Sequence, residues 1–459
     1  MSERAKMRHR RNFFLVILGL VIFTLLILVL FNQTMPDDLL RRMSHAVHAV
    51  SDSSTHSQGQ AQSTDINVTA VCGDLIGGSL TYHKVVEINN ELKAQLPKDD
   101  EFSKLAHNCS EFRLSRGYDR IAPTELEQSF PLAFAVSVYK STFQFEQLFR
   151  AIYRPWNFYC IHIDGASADE FRQSIRQIVQ CFDNVFIPAL SATVVWASIY
   201  VLEAERLCQR ELLKRSRSWK YYINLTGQEF PLKTNREVVE ILREFRLTND
   251  VMAYRLEDGS QPNKHRQMWR YYVSLKKGVT VSNYRKTETL PGRVMIYKGE
   301  LHVALTRDFV KFLHNEPTAV AFYDWLNDTF CPDEHYYQSL HMLPFAPGST
   351  ELESRYTMSR SKIWETGRLN GQCRSRKFVR TICIFGSFDL PWLRAQPHLF
   401  ANKFYGEDDP LLLRCLEEEI AKRTIRPVPL NRKFYRRFAD TRTWDETAGV
   451  KWQLPNGSQ

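Results

Sequence analysis

Short apolar runs alternate with amphipathic stretches from about residue 130 onward. Continuous apolar runs are typical of buried strands, and apolar residues that recur every three or four positions are typical of helices. The predicted strands are 131–139, 157–164, 185–189, 221–225 and 251–254. The predicted helices between them are 143–153, 167–182, 197–215 and 234–245. Because strands that alternate with helices usually pair in parallel, we predict an α/β fold built on a parallel sheet.

Polar residues at the ends of these elements refine the picture. Capping boxes, in which a Ser or Thr precedes a Glu by three residues, are predicted at Ser167–Glu170 and Thr234–Glu237. In open α/β sheets, ligands bind beyond the carboxyl ends of the strands. Tyr139 and Asp164 close the first two predicted strands, so we expect both side chains to lie near a ligand.

The longest apolar run lies near the N-terminus. Phe13–Phe31 contains 19 residues without a charge, which as a helix would span roughly 28 Å, close to the hydrocarbon core of a bilayer. Basic residues are concentrated in 1–12, so the positive-inside rule places this end in the cytoplasm. The alternative, a cleaved signal peptide, needs a shorter apolar region and a small-x-small site. We therefore predict a signal anchor in a single-pass type II membrane protein.

Changes in composition divide the rest of the chain. Ser51–Thr64 is rich in Ser, Gln and Thr, a composition that is typical of a flexible stem. The predicted organisation is a cytoplasmic tail (1–12), a transmembrane anchor (13–31), a luminal stem (32–71), a cysteine-containing luminal segment (72–129), a main α/β domain (130–425) and a C-terminal tail (426–459).

The cysteines and the charge agree with a luminal protein. There are nine cysteines and no C-x-x-C pair, so disulfides are favoured over zinc, and at least one cysteine is left over. Asn67 and Asn108 are the predicted glycosylation sites. The net charge is +10, of which residues 1–12 contribute four. The net positive charge of the rest of the chain is small for its length, so nucleic acid is disfavoured as a partner.

Several catalytic motifs are missing from the sequence. G-x-G-x-x-G, the P-loop, H-E-x-x-H and G-x-S-x-G do not occur, which disfavours dinucleotide enzymes, common NTPases, zincins and serine hydrolases. The Asp-x-Asp signature of metal-using nucleotide-sugar transferases is also missing. If the protein handles a diphosphate, cationic side chains must neutralise it.

Two clusters of polar residues could carry chemistry. The run C-P-D-E-H at 331–335 precedes an apolar helical stretch. Its acids either complement a helix N-terminus or supply a catalytic base, and a metal site with His341 is a third reading. Arg380 and Lys403 flank the apolar segment 382–385, where they are either solvated surface charges or an anion-binding pair.

Five motifs resemble a known enzyme family. They are RAIYRPWNFYCIHID (150–164), INLTGQEFPLKTN (223–235), CPDEH (331–335), VRTICIFGSFDL (379–390) and HLFANKF (398–404). In order and spacing they are similar to the core 2 β-1,6-N-acetylglucosaminyltransferases of glycosyltransferase family 14, over about 130–419. The resemblance implies a GT-A-type nucleotide-sugar transferase fold. The type II topology and the stem also resemble those of that family's Golgi enzymes.

The resemblance also implies a reaction and its partners. Enzymes of this family are inverting and metal-independent, and they transfer GlcNAc from UDP-GlcNAc to O6 of the GalNAc in Galβ1-3GalNAc on mucin-type O-glycans. The implied partners are therefore a UDP-sugar donor and an O-glycan acceptor on glycoproteins at the Golgi membrane. No cofactor and no divalent metal are expected.

Individual residues match the family's functional positions. Glu334 matches the catalytic base, and Arg380 and Lys403 match the pair that neutralises the diphosphate. The matches at the donor site are Val138, Tyr139, Asp164 and Trp196. The matches at the acceptor site are Glu257, Lys264 and Trp364. The implied disulfides are Cys72–Cys415, Cys109–Cys181, Cys160–Cys208 and Cys373–Cys383, with Cys331 left over.

The chain departs from the family near both sugars. Gly299-Glu300-Leu301 replaces a small Gly-Ser-Ala segment near the donor sugar, Glu229 replaces an aspartate, and Thr366 replaces an acceptor-site aromatic residue. Glucose as the donor sugar and a different β-1,6 branching acceptor therefore stay open. So do a xylosyltransferase-like activity and a membrane-anchored glycan-binding protein without catalysis.

Overall fold

A five-stranded sheet forms the centre of the protein in the computed structural model. The strands lie in the order β3-β2-β1-β4-β8; β1 to β4 run parallel to one another, and β8 pairs antiparallel with β4. The strands of this sheet are β1 Leu132–Val138, β2 Phe158–Ile163, β3 Val185–Phe186, β4 Tyr221–Thr226 and β8 Ala304–Thr306. The structure describes residues 67–120, 122–255, 269–445 and 453.

Helices cover both faces of the sheet. The helices are α1 Val68–Gly77, α2 Tyr82–Ala94, α3 Asp99–Leu105, α4 Cys109–Arg116, α5 Glu125–Gln128, α6 Thr142–Ile152, α7 Asp169–Val179, α8 Tyr200–Arg215, α9 Asn235–Glu244, α10 Arg307–Asn315, α11 Pro317–Trp325, α12 Tyr336–His341, α13 Leu390–Arg394, α14 Pro410–Ile425 and α15 Arg432–Thr441. Short 3₁₀ helices occur at Tyr118–Arg120, Leu326–Asp328, Pro332–Glu334, Asn370–Gln372 and Ser387–Asp389.

The alternation of side chains along β1 explains why the sheet is covered on both sides. Phe134 and Val136 point into a core shared with α6, α7 and α9, whereas Ala133 and Ala135 face a second core formed with α8, α10 and α11. A strand that is buried on both faces reads as a continuous apolar run, as observed in the sequence. The predicted mixed α/β fold is confirmed.

Three details of the predicted secondary structure are wrong. In the predicted strand 251–254, only Ala253 and Tyr254 form isolated bridges, and the antiparallel β8 takes the fifth place in the sheet. The helix α7 begins after Ala168, with no side-chain cap, so Ser167 does not form the predicted capping box. The helix predicted from residue 197 begins at Tyr200, because Ala197 adopts a left-handed backbone with φ of 65°. By contrast, Thr234 and Glu237 form the predicted capping box of α9.

Three smaller sheets surround the central one. The first has the order β5-β12-β9, and the other two are the hairpins β6-β7 and β10-β11. Their strands are β5 Glu229–Pro231, β6 Trp269–Ser274, β7 Gly278–Arg285, β9 Arg360–Ser361, β10 Phe378–Val379, β11 Ile382–Cys383 and β12 Phe400–Asn402. These short strands bring distant loops to the carboxyl edge of the central sheet.

Four disulfides tie the segments together. They are Cys72–Cys415, Cys109–Cys181, Cys160–Cys208 and Cys373–Cys383, the four pairs that the resemblance implies. The first joins α1 to α14 and closes a sequence separation of 343 residues. Long closed loops restrict the unfolded chain most in the entropic account of disulfide stabilisation.

The predicted ends of the chain are described only in part. The predicted stem reaches residue 71, but α1 already begins at Val68, where Asn67 caps it. Asn67 and Asn108 are both exposed, as a glycosylation site requires, and their use stays a prediction. In the predicted C-terminal tail, α15 packs against α9.

The predicted anchor, Phe13–Phe31, lies outside the described residues. From residue 67 onward, none of the described helices combines the length and the apolar character that a bilayer crossing requires.

Candidate active site

The predicted donor-site residues Val138, Tyr139 and Asp164 lie at the carboxyl edge of the central sheet. Val138 is the buried last residue of β1, and the next residue, Tyr139, is 56% exposed. The backbone N–H of Asp164 donates to the Val138 carbonyl over 2.9 Å. Parallel pairing of β1 and β2 therefore brings the two predicted ligand-binding segments together.

Asp164 has a structural task in the protein itself. Its Oδ1 accepts a hydrogen bond from the Ala166 N–H at 2.7 Å, and its Oδ2 accepts one from the Val194 N–H at 3.1 Å. The carboxylate therefore joins the loop after β2 to the loop after β3. The two loops touch so closely that a Cβ at Gly165 would lie 2.1 Å from Thr193 Oγ1. Asp164 can still accept a ligand's hydrogen bond, since a carboxylate has about four acceptor positions.

Trp196 connects this edge to the predicted diphosphate site. Its ring is 54% exposed, and the guanidinium carbon of Arg380 lies 5.6 Å from the ring centroid. On another side, Trp196 packs edge-to-face against Phe330, with 5.6 Å between ring centroids. An exposed aromatic ring beside a cation is suited to hold a flat base next to its phosphate.

Arg380 and Lys403 come together from two different sheets. Arg380 occupies the tight turn between β10 and β11 with φ of 51°. Lys403 follows β12, and only 8% of its surface is exposed. Burial, followed by the charges of Arg380 and Lys362, lowers the pKa of Lys403 to about 8. Two cations that repel each other in this way are suited to bind a dianion.

Glu334 is the last residue of the 3₁₀ helix Pro332–Glu334. The residue before this helix, Cys331, has a left-handed backbone conformation. The Cys331 N–H donates to the Ala197 carbonyl at 2.9 Å, which fastens this turn to the loop that carries Trp196. The Glu334 carboxylate forms a 2.7 Å ion pair with Lys298 Nζ. The structure thus holds the predicted base in one orientation beside the donor-site loop.

The other acid of this turn also has an unusual environment. Burial, and then the charge of Glu334, raise the pKa of Asp333 to about 7. A carboxyl group with such a pKa is partly protonated near neutral pH, so it can both donate and accept hydrogen bonds. Perturbed groups of this kind are common at functional sites.

A series of polar contacts runs from Glu300 to Glu229 and Arg360. Glu300 Oε2 lies 2.6 Å from Lys362 Nζ, and the same ammonium lies 2.8 Å from His302 Nδ1. His302 Nε2 is 2.7 Å from Glu229, which also pairs with Arg360 at 2.7 Å. Burial is the largest single influence on the pKa of Glu229 and would raise it, but Arg360, His302 and Lys362 together outweigh burial and lower the pKa to about 2.

The predicted acceptor residues are only partly described. Trp364 is 38% exposed and lies 5.7 Å from Lys362 Nζ. It bridges Ile382 in the strand that follows Arg380, which places it next to the predicted diphosphate site. Glu257 and Lys264 lie outside the described residues.

The described residues do not support a metal site formed by the 331–335 cluster with His341. His335 Nδ1 faces the Tyr297 carbonyl at 3.0 Å, and His341 faces Asn249 and Thr350. Among the described residues, no group of three or more His, Cys, Asp or Glu side chains is placed to hold a metal ion. The expectation of a metal-independent reaction stays a prediction.

The sequence did not mark Lys298 or Lys362 as site residues, and it marked Asp333 only as one acid of the 331–335 cluster. Lys298 and Lys362 are far from Glu334 and Lys403 in the chain, and no local motif marks them. Asp333 was visible beside Glu334, but its burial and its raised pKa depend on the tertiary structure. Glu300 was recognised only as a departure from the family.

The chain is similar to proteins of one known enzyme family. The family model described as "Core-2/I-Branching enzyme" matches residues 132–394. The human N-acetyllactosaminide β-1,6-N-acetylglucosaminyl-transferase is 36% identical over 69% of this chain and 79% of its own length. The mouse β-1,3-galactosyl-O-glycosyl-glycoprotein β-1,6-N-acetylglucosaminyltransferase 3 is 31% identical over 77% and 83%. A zebrafish (Danio rerio) enzyme with the same name and number 4 is 33% identical over 78% and 85%.

Proposed function

The chain belongs to the Core-2/I-branching enzyme family of glycosyltransferases, and we propose that it transfers GlcNAc from UDP-GlcNAc in β-1,6 linkage to the GalNAc of Galβ1-3GalNAc O-glycans. Its relatives' names support GlcNAc transfer from a nucleotide-sugar donor to a glycan acceptor. The observation that carries the proposal is the joint placement of Trp196, Arg380, Lys403 and Glu334 at one edge of the sheet.

The proposed mechanism uses the side chains of this edge. Trp196 and the loops after β1 and β2 bind the uridine, and Arg380 and Lys403 bind the diphosphate. Glu334 takes the proton of the acceptor's primary hydroxyl while that oxygen attacks the anomeric carbon in line, because a neutral hydroxyl is a weak nucleophile. The leaving UDP gains negative charge, which the two cations stabilise. The anomeric configuration is therefore inverted in a single displacement.

A second acceptor is supported by a specific comparison. The relative that is 36% identical is named for N-acetyllactosaminide, whereas the mouse and zebrafish relatives are named for O-glycosyl glycoproteins. N-acetyllactosamine is therefore the alternative acceptor, with the same donor, base and linkage. The substitution at Thr366, near the acceptor side of the site, is compatible with either choice.

We place the enzyme in the Golgi membrane as a type II protein. The apolar run at 13–31 with its preceding basic cluster supports this topology. The four disulfides support an oxidising lumen around the catalytic part of the chain.

A product assay tests the proposed reaction directly. The detergent-solubilised full chain is incubated in EDTA with UDP-GlcNAc or UDP-glucose and with Galβ1-3GalNAc-aryl or N-acetyllactosamine, and the product's mass and linkage are determined. We expect a β-1,6 GlcNAc branch on Galβ1-3GalNAc. A branch formed only on N-acetyllactosamine would show that N-acetyllactosamine is the acceptor. A hexose in the product would show that UDP-glucose is the donor. Activity that is lost in EDTA and restored by a divalent cation would refute metal independence.

The affinity for the UDP-sugar is expected to depend on pH through Lys403. This lysine is charged below its pKa of about 8 and neutral above it, and the anion binds the charged form. The dissociation constant for UDP-GlcNAc should therefore be nearly constant from about pH 6.5 to about pH 7.5 and rise by up to about tenfold per unit above pH 8. Calorimetry at several pH values, kept below about pH 9 to preserve the uracil proton, measures this change.

The control for this prediction is Lys403→Arg. Arginine stays charged over the whole range, so the variant's affinity should not follow the wild-type decline, whatever its absolute value. If the variant and the wild type lose affinity in parallel as the pH rises, another group is responsible for the pH dependence.

A further inference from the structure

The space between the base and the two cations is where the donor's sugar ring must lie in the proposed reaction. The base activates the oxygen that attacks the anomeric carbon, and the cations hold the diphosphate that leaves from the opposite side. Side chains between Glu334 and Lys403 are therefore placed to contact the transferred sugar. Two of them, Glu300 and Lys362, form an ion pair of 2.6 Å.

We propose that the Glu300–Lys362 ion pair binds neighbouring hydroxyl groups of the donor's sugar ring and so selects the sugar that is transferred. The inference rests on the proposed function for the location of the donor. The resemblance placed Glu300 only in a segment near the donor sugar, and the proposal goes further by pairing it with Lys362 and giving both residues a specific recognition task.

Backbone contacts place Glu300 beside the base. The Gly299 N–H donates to the Glu334 carbonyl at 2.9 Å, and Lys298, on the other side of Gly299, pairs with the Glu334 carboxylate. A Cβ at Gly299 would lie 1.9 Å from the Met252 carbonyl oxygen, so this segment lies directly against the backbone at Met252. Gln338 Nε2 donates to the Glu300 carbonyl at 2.5 Å and holds the same segment.

Backbone contacts also place Lys362 beside the segments that carry the two cations. On one side, Ser361 pairs with Ala401 in the parallel ladder of β9 and β12, two residues before Lys403. On the other side, the Cys383 N–H donates to the Ile363 carbonyl at 2.9 Å, and β11 begins two residues after Arg380. The charge of Lys362 acts on the pKa of both Lys403 and Asp333, which agrees with a position between the Arg380–Lys403 pair and the base.

The chemistry of the pair fits a sugar. Burial alone would raise the pKa of Glu300, but the charges of Lys362 and His302 hold it below its ordinary value, so the group is a carboxylate that only accepts hydrogen bonds. Lys362 can only donate. Adjacent ring hydroxyls can donate to one and accept from the other, and the side chains are only 14% and 6% exposed, so little water competes.

A purely structural pair is the alternative explanation, in which Glu300 and Lys362 merely join β9 to the segment before β8. The two explanations differ in what a substitution changes. If the pair contacts the sugar, Glu300→Gln weakens the binding of UDP-GlcNAc but not that of UDP, which has no sugar ring. If the pair only supports the fold, affinity for both ligands falls together, and the protein melts at a lower temperature.

Calorimetric binding to the full chain, without acceptor, separates these outcomes. We expect Glu300→Gln to weaken UDP-GlcNAc about 10- to 100-fold, as for a lost hydrogen bond to a charged group, and to change UDP less than about twofold. Glu417→Gln is the matched control, because Glu417 forms a 2.7 Å ion pair with Arg150 between α6 and α14. It should leave both affinities unchanged. Equal losses for UDP and UDP-GlcNAc, or no loss for either, would overturn the proposal.

A second measurement needs no variant and covers the case in which Glu300→Gln does not fold. The wild-type chain is titrated with UDP-GlcNAc analogues that each lack one ring hydroxyl. We expect two neighbouring deoxy positions to bind at least about tenfold more weakly than UDP-GlcNAc. If every analogue binds as well as UDP-GlcNAc, the Glu300–Lys362 pair does not form hydrogen bonds with the ring hydroxyls, and the proposal is wrong. Because neither binding experiment requires turnover, a failed product assay and a failed sugar-recognition test are distinguishable.

Discussion

Substitution of Glu334 by Gln is expected to lower the rate of sugar transfer about 10²- to 10⁴-fold, the usual contribution of a positioned general base. Gln has nearly the same shape but cannot accept the acceptor's proton. In the proposed mechanism the donor binds at Trp196, Arg380 and Lys403, and the Glu334 carboxylate is not one of its binding groups. The affinity for UDP should therefore stay within about twofold of the wild type. Product formation under saturating substrates gives the rate, and calorimetry gives the affinity.

The matched control is Glu353→Gln. Like Glu334, Glu353 forms a short ion pair, with Arg255 at 2.6 Å, but it lies on the exposed surface. Its substitution should leave both the rate and the affinity unchanged. A Glu334→Gln enzyme that retains more than about a tenth of the wild-type rate would show that another group is the base. A loss of UDP binding in this variant would indicate a disturbed turn at 331–335 instead of a missing base.

Removal of a cation from the diphosphate site is the second large expected effect. Lys403→Met should reduce kcat/KM about 10²- to 10³-fold, in the range found when one preorganised donor to a developing anion is removed. The loss should fall on the affinity for UDP as well, because the diphosphate is charged before the reaction begins. The affinity for uridine should be unchanged, since the nucleoside has no phosphate. Comparative titration with uridine and UDP measures the phosphate contribution directly.

Arg380→Met should show a related but distinguishable pattern. Its guanidinium lies over the Trp196 ring, so both UDP and uridine should bind more weakly, and UDP by the larger factor. Lys377→Met is the control, because Lys377 is an exposed cation of the same region that pairs with Asp408. If Lys403→Met weakens uridine and UDP equally, the lysine supports the fold of the site and does not bind phosphate.

The periodic parts of the fold could be predicted from the sequence because they depend on local alternation. β1, β2 and β4 and the helices α6, α8 and α9 lie close to their predicted positions, and Thr234 and Glu237 form the predicted capping box. The errors arise where local preference is overruled. Residues 251–254 are apolar and extended, as predicted, but the antiparallel β8 occupies the edge of the sheet next to β4.

The candidate site divides in the same way. Glu334, Arg380, Lys403 and Trp196 were identified by resemblance, since their motifs are long and in order. The resemblance could not supply Lys298 and Lys362, which contact the base and Glu300 in the folded protein. Long polar side chains form contacts between different loops, and the periodicity of the sequence does not predict which loops are neighbours in the folded protein.

By itself, the sequence determined the α/β class, the family and the residues that carry its motifs, because each depends on neighbours in the chain. Only the tertiary structure decided that β8 completes the sheet, that Lys298 holds Glu334 and that Glu300 pairs with Lys362 between the base and the cations. The physical reason is that charge pairing and burial depend on distances in space. The short strands β5, β9 and β12 set those distances by pairing segments that are far apart in the chain.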